Sequence, residues 1–134
     1  MKKINSICIV DDDRIVVFGI TKMLNATVEC ENIMSFSNGK YAIDAIKDLL
    51  REDKEIPSVI FLDINMPIMD GWQFLEEFIA LDIPKKVYIN IVTSSIDPMD
   101  RKKSETFKDR THHTIEYKTK PIRRSEIEEI TNAA

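Results

Sequence analysis

Residues Ile7-Cys8-Ile9-Val10 are apolar, and three consecutive carboxylates, Asp11, Asp12 and Asp13, follow them without a spacer. A short apolar run closed by turn-type residues reads as a buried strand, so this one places negative charge at the rim of a sheet. The pattern recurs at Val59-Ile60-Phe61-Leu62, which runs directly into Asp63. If the two strands are parallel neighbours, their ends bring Asp11, Asp12 and Asp63 together. Two like charges about 4 Å apart repel by roughly 4 kcal/mol at an effective dielectric near 20. Such a cluster needs protons or a cation to persist.

Strand-like and helix-like segments alternate along the whole chain. The first strand is predicted over Ile4 to Val10, with a helix from an Asp13 cap to Asn25. A second strand falls at Ile33 to Phe36, and Ser37-Asn38-Gly39 is turn chemistry. Tyr41, Ile43, Ala45, Ile46, Leu49 and Leu50 carry helical spacing, followed by a charged loop from Arg51 to Glu55. The third strand is Val59 to Asp63, after which Asp70-Gly71 opens a helix with Phe74, Leu75, Phe78 and Ile79 on one face. The fourth strand runs from Val87 to Thr93. Asp97-Pro98 then starts a polar helix that continues through Arg110. The fifth strand is Thr114 to Tyr117, and Ser125 is expected to cap a last short helix. Five strand-then-helix units with short connections predict an α/β fold: a parallel sheet with helices on both faces. Ligands of such sheets sit at the carboxyl ends of the strands, where the acids fall.

At 134 residues the chain fits one domain over 1–134 and leaves no room for an output domain beside it. The net charge of −4 gives no support to a nucleic-acid partner. No apolar run approaches the ~20 residues of a membrane span, and the Met1-Lys2-Lys3 start lacks the features of a signal peptide. Cys8 lies within a predicted strand and Cys30 stands alone, so no disulfide framework or thiolate metal site is indicated. A reducing cytoplasm is the expected location.

Four strand ends carry pointed chemistry: Asp11 and Asp12, then Asp63, then Thr93-Ser94-Ser95, then Lys120-Pro121. Oxygen-only donors suit Mg²⁺, with Mn²⁺ as the closest substitute. A divalent ion beside a carboxylate, a hydroxyl and an ammonium is equipped for phosphoryl transfer, because cation and ammonium neutralise charge on the phosphoryl oxygens. The carboxylate can then be the nucleophile and form an aspartyl phosphate.

Over nearly its whole length the chain resembles the receiver domain of two-component response regulators, of the stand-alone single-domain type. The resemblance is carried by Ile9-Val10-Asp11-Asp12-Asp13, by Phe61 to Gly71 (FLDINMPIMDG), by Val92-Thr93-Ser94-Ser95 and by Tyr117-Lys118-Thr119-Lys120-Pro121. It implies a flavodoxin-like (βα)5 three-layer sandwich with strand order 2-1-3-4-5. It implies Asp63 as phosphoacceptor, with Asp12 a direct Mg²⁺ ligand, Asp11 acting through water, and the Asn65 backbone carbonyl completing the set. Thr93 matches the hydroxyl that turns toward the phosphoryl group, Lys120 the lysine that pairs with it, and Tyr117 the aromatic that swings inward. The implied partner is a histidine kinase or histidine phosphotransfer protein. The protein is then a signalling switch with self-catalysed transfer and hydrolysis, not a turnover enzyme, and a monomer or phosphorylation-dependent dimer. A cis Lys120-Pro121 bond is part of the resemblance, as is control of hydrolysis by Asn65 and Ser95.

Other residues have plainer readings. Asp13 is a helix cap, and His112-His113 fall in a polar turn where solvation is expected. Trp72 packs at the start of its helix, close enough to Asp63 to serve as a fluorescence reporter. Arg101, Lys102 and Lys103 form either a contact surface or a solvated face. An Mg²⁺-dependent phosphohydrolase built on Asp63 is the alternative, weakened because Asn65 stands where such enzymes place a second acid. A flavin module is poorly supported with three glycines in the chain.

Overall fold

A computed structural model describes residues 1–134. Five strands and five helices alternate: β1 (Lys2–Val10), α1 (Arg14–Thr27), β2 (Val28–Phe36), α2 (Gly39–Arg51), β3 (Val59–Leu62), α3 (Gly71–Ile79), β4 (Tyr88–Thr93), α4 (Pro98–Lys108), β5 (Thr114–Thr119) and α5 (Arg124–Ala133). All strand pairs are parallel, in the order β2-β1-β3-β4-β5. This is the flavodoxin-like arrangement expected from the sequence.

Side-chain alternation on the strands explains the three layers. Cys8, Val10, Ile60, Leu62, Ile89 and Ile91 pack with Ile43 and Ile46 of α2, Phe74 and Phe78 of α3 and Phe107 of α4. Ile7, Ile9, Val59, Phe61 and Val92 point the other way, against Ile20 and Leu24 of α1 and Ile127 and Ile130 of α5. β3 and the second half of β1 therefore read as unbroken apolar runs because both faces are covered. Burying one such side chain stabilises the fold by about 2 kcal/mol.

Register decides where the chemistry goes. Val10 pairs with Leu62, Leu62 with Ile91, and Ile91 with Tyr117. Asp11 and Asp63 therefore leave the sheet at the same level, and the Asp63 amide donates to the Val10 carbonyl (2.9 Å).

Three expectations need correction. β2 starts at Val28, not Ile33, and follows α1 without a loop. It is an edge strand, so Glu29, Glu31 and Asn32 can face water while the backbone still pairs with β1. The cap of α5 is Arg123, not Ser125: the Glu126 carboxylate reaches back to accept the Arg123 amide (2.9 Å), adding the start of a turn. His113 is buried, not solvated; its Nδ1 accepts the Val87 amide (2.9 Å) and its ring packs on Phe78. His112 is exposed as expected. No helix is long and apolar enough to cross a membrane.

Candidate functional site

At the carboxyl end of β1, Asp11 is buried and Asp12 is exposed. The Asp11 amide donates to the Phe36 carbonyl (3.0 Å), tying the end of β1 to β2. Asp11 Oδ1 accepts the Asp13 amide (2.9 Å), and Asp13 in turn caps α1 by accepting the Ile15 amide (2.9 Å). These bonds turn the chain sharply and keep both carboxylates at the rim. Oxygens of Asp11, Asp12 and Asp63 lie within 4.8 Å of one another, as the two-strand argument requires.

Asp63 is 6% exposed, and its Oδ1 accepts the Ile64 amide (2.8 Å). Burial, and after it the Asp11 charge, raise its carboxyl above the ordinary value; Lys120 and the Ile64 and Asn65 amides only partly oppose this. Lys120 Nζ lies 2.9 Å from Asp11 Oδ2 and 3.4 Å from Asp63 Oδ2. Burial, the largest single influence on that ammonium, pushes it down, yet the two aspartates together outweigh it and leave it raised. Lys120 is held there by its own amide, which donates to the Thr93 carbonyl (2.8 Å), and the Lys120-Pro121 bond is cis.

The loop between β3 and α3 is positioned by backbone contact. An added Cβ at Gly71 would stand 2.4 Å from the Asp63 carbonyl oxygen and 2.8 Å from Ile64 Cα. Only glycine lets α3 begin directly against the end of β3. Asp70 and Gln73 form a reciprocal capping box, with the Gln73 amide donating to Asp70 Oδ1 (2.8 Å) and the Asp70 amide to Gln73 Oε1 (2.9 Å). Within this loop Asn65 is exposed.

Thr93 is fully buried at the end of β4, and its Oγ1 accepts the Ser95 amide (3.2 Å). Tyr117, on β5, is half-buried with the Arg101 guanidinium 4.6 Å from its ring centroid. Trp72 packs as expected, stacked on Phe107 (5.7 Å) and covered by the Lys103 ammonium (5.2 Å). Beside the acids, a groove of about 740 Å³ is lined by Asp11, Asp12, Arg14, Phe18 and Tyr41 among others. Phe18 and Tyr41 are exposed large apolar side chains on its wall.

The sequence reading missed three features. The Gly71 approach had a signal, since Gly71 is one of three glycines and directly follows a helix cap. The Arg101 stack on Tyr117 had none, because it joins α4 to β5; the hydrogen bond from Ser95 Oγ to Asp100 is local, tying the loop after β4 to the first turn of α4, and matches no motif read from the sequence.

Three carboxylates and one ammonium leave this rim two negative charges in excess, and all the facing donors are oxygen. That set fits a hard divalent cation such as Mg²⁺ or Mn²⁺.

Residues 7–132 match the response regulator receiver domain family. The chain belongs to that family, the receiver domains of two-component signalling. A solved two-component response regulator from Cytophaga hutchinsonii is 32% identical, with a TM-score of 0.82 covering 98% of this chain and 97% of that one. A protein-glutamate methylesterase/protein-glutamine glutaminase of Bordetella pertussis is 33% identical over 93 residues, which is 69% of this chain and 25% of that protein. The Mn²⁺-bound form of response regulator Rcp1 shares the fold at a TM-score of 0.72 and 23% identity, covering 96% of this chain and 90% of that one. The chain spans about a quarter or less of the curated relatives it matches.

Proposed function

We propose that this receiver domain accepts a phosphoryl group on Asp63 from the phosphohistidine of a histidine kinase or histidine phosphotransfer protein in the cytoplasm, and that the product is read by a protein partner. The observation that carries this is the shared ammonium: Lys120 Nζ stands between Asp11 Oδ2 (2.9 Å) and Asp63 Oδ2 (3.4 Å). Asp12 completes the acidic group within 4.8 Å. In this reading a carboxylate oxygen of Asp63 attacks phosphorus as the phosphorus–nitrogen bond breaks, and the imidazole leaves with a proton from water. Asp11, Asp12, Asp63 and the Asn65 carbonyl would hold Mg²⁺, which when bound supplies positive charge at the phosphoryl oxygens. Lys120 supplies a second positive group.

The phosphoryl group brings charge and acceptor oxygens to one point at the strand ends. Thr93 is the hydroxyl placed to leave its loop amide for a new acceptor, and Tyr117 is the neighbouring ring on β5 that responds. The surface of α4, β5 and α5 then changes, so the output is a shift between two arrangements. The exposed Phe18 and Tyr41 beside the acids give a donor protein apolar area to cover. Phosphomonoester turnover is less well supported, because Asn65 offers no proton where a second acid would act.

Asp63→Asn tests this. Incubation with a small acyl phosphate and Mg²⁺ should add one phosphoryl group to the wild type and none to the variant, read by intact mass. The variant should stay folded, with a Tm at or above wild type, since it removes a buried charge that burial and Asp11 disfavour. Equal labelling of the two proteins would end the assignment.

A further inference from the structure

The first turn of α4 reaches both residues that the proposed function sets in motion. Thr93 Oγ1 accepts the Ser95 amide (3.2 Å), and Ser95 Oγ donates to Asp100 Oδ2. Ser95 Oγ also accepts the Asp97 amide (3.2 Å), which closes a ring from the end of β4 to the start of α4. The next residue on the helix, Arg101, lays its guanidinium over Tyr117 at 4.6 Å. Ser95, Ile96, Asp97, Pro98, Arg101 and Tyr117 share the lining of a cavity of about 350 Å³ between this loop and β5. One helical turn thus grips the hydroxyl side of the switch through Asp100 and the aromatic side through Arg101.

We infer that Asp100 and Arg101 are positioning residues that hold the resting state, an inference that rests on the phosphoacceptor reading of Asp63. Swinging Thr93 toward a phosphoryl oxygen carries its Oγ1 off the Ser95 amide that it now accepts. Ser95 is kept in place by Asp100, so freeing Thr93 means moving the loop against that tie. Tyr117 cannot leave its place without giving up the Arg101 stack. Because the two residues are adjacent on a helix, a shift of its first turn loosens both contacts together. The apparent affinity for any ligand of the active state is the intrinsic affinity scaled by the fraction of molecules already competent. Weakening either grip should raise that fraction.

The probe is beryllofluoride with Mg²⁺, a phosphoryl mimic, titrated by Trp72 fluorescence. Losing a hydrogen bond to a carboxylate should tighten binding about five-fold in Asp100→Ala, and losing an exposed cation–π contact about three-fold in Arg101→Ala. Ser95→Ala should match Asp100→Ala, and adding it to Asp100→Ala should give no further gain, because Asp100 acts through Ser95. Lys102→Ala removes a neighbouring exposed charge without a grip and should leave the affinity unchanged. If the wild type binds and neither Asp100→Ala nor Arg101→Ala binds more tightly, the inference fails while the phosphoacceptor reading stands. A further gain from combining Ser95→Ala with Asp100→Ala, or a gain in Lys102→Ala equal to that in Arg101→Ala, overturns the corresponding half. A wild-type chain that binds no beryllofluoride removes both readings.

Discussion

The two ends of the sheet bury titratable groups in opposite ways. At the carboxyl end, Asp63 sits beside Asp11 with its carboxyl raised by burial and by that neighbour, and Lys120 is drawn in against the charge. At the amino end, His113 lies among Phe78, Val87 and His112, and burial first, then His112, lower it to about 4. Desolvation pushes both groups toward neutrality. At the amino end nothing opposes it, and the imidazole serves as a packed acceptor for a backbone amide. At the carboxyl end the fold supplies an ammonium and leaves room for a divalent ion, so charge is retained at a cost to stability. The pH signs follow. A raised Asp63 gives its full stabilisation below the unfolded carboxylate value of about 4 and loses it as pH climbs through the folded value. A lowered His113 behaves in the reverse manner.

The carboxyl end depends on backbone contact, and Gly71→Ala is the hardest blow to it. The new Cβ would meet the Asp63 carbonyl at 2.4 Å and Ile64 Cα at 2.8 Å, atoms that cannot swing aside as a side-chain tip can. Either α3 or the end of β3 must shift, taking Asp63 with it. A loss of roughly 3 kcal/mol or more is expected in urea unfolding, along with weaker Mg²⁺ binding. A variant with unchanged midpoint and unchanged Mg²⁺ affinity would show that the contact between α3 and β3 is dispensable.

The amino end should show itself in acid. Unfolded histidine titrates near 6.5 and folded His113 near 4, so the unfolded chain takes up the proton first. The stabilisation is complete above about pH 6.5 and is lost as pH falls toward 4, amounting to about 3 kcal/mol. His113→Asn keeps an acceptor for Val87 but does not titrate, so its stability profile should be flatter than wild type through that window. Parallel profiles for the two proteins would mean that His113 is not held neutral.

The contrast between the two ends was only half legible in the sequence. Asp11, Asp12, Asp63, Thr93 and Lys120 could be read because each closes a strand, and parallel register carries strand ends to one edge. His113 could not. A polar turn before β5 looks solvated until Phe78 of α3 and the amide of Val87 are brought against it, and neither is near in sequence. The start of β2 was hidden for a related reason: an edge strand needs no continuous apolar pattern, so Glu29 and Glu31 disguised it. Nor does any local pattern reveal that Arg101 of α4 lies over Tyr117 of β5. What is local or periodic reads well; what depends on a distant partner does not.

Backbone strain sharpens the comparison at its smallest scale. Two residues other than glycine have positive φ, Asp53 at 54° after α2 and Ile68 at 69° beside the acidic rim. Asp53, at the amino end, is of a type that tolerates this region, whereas a β-branched residue is costly there. Ile68 is held by a tight turn in which the Met69 amide donates to the Pro67 carbonyl (2.8 Å), and its side chain is 73% exposed, so burial does little to offset the strain. Ile68→Asn should therefore stabilise the fold by about 1 kcal/mol in urea unfolding, while Asp53→Asn should change it little. A destabilised Ile68→Asn would mean that the exposed side chain packs in solution. Equal gains at both positions would mean that the strain is not particular to the acidic rim. The expected asymmetry would place strain, like retained charge, at the end of the sheet that carries Asp11, Asp12 and Asp63.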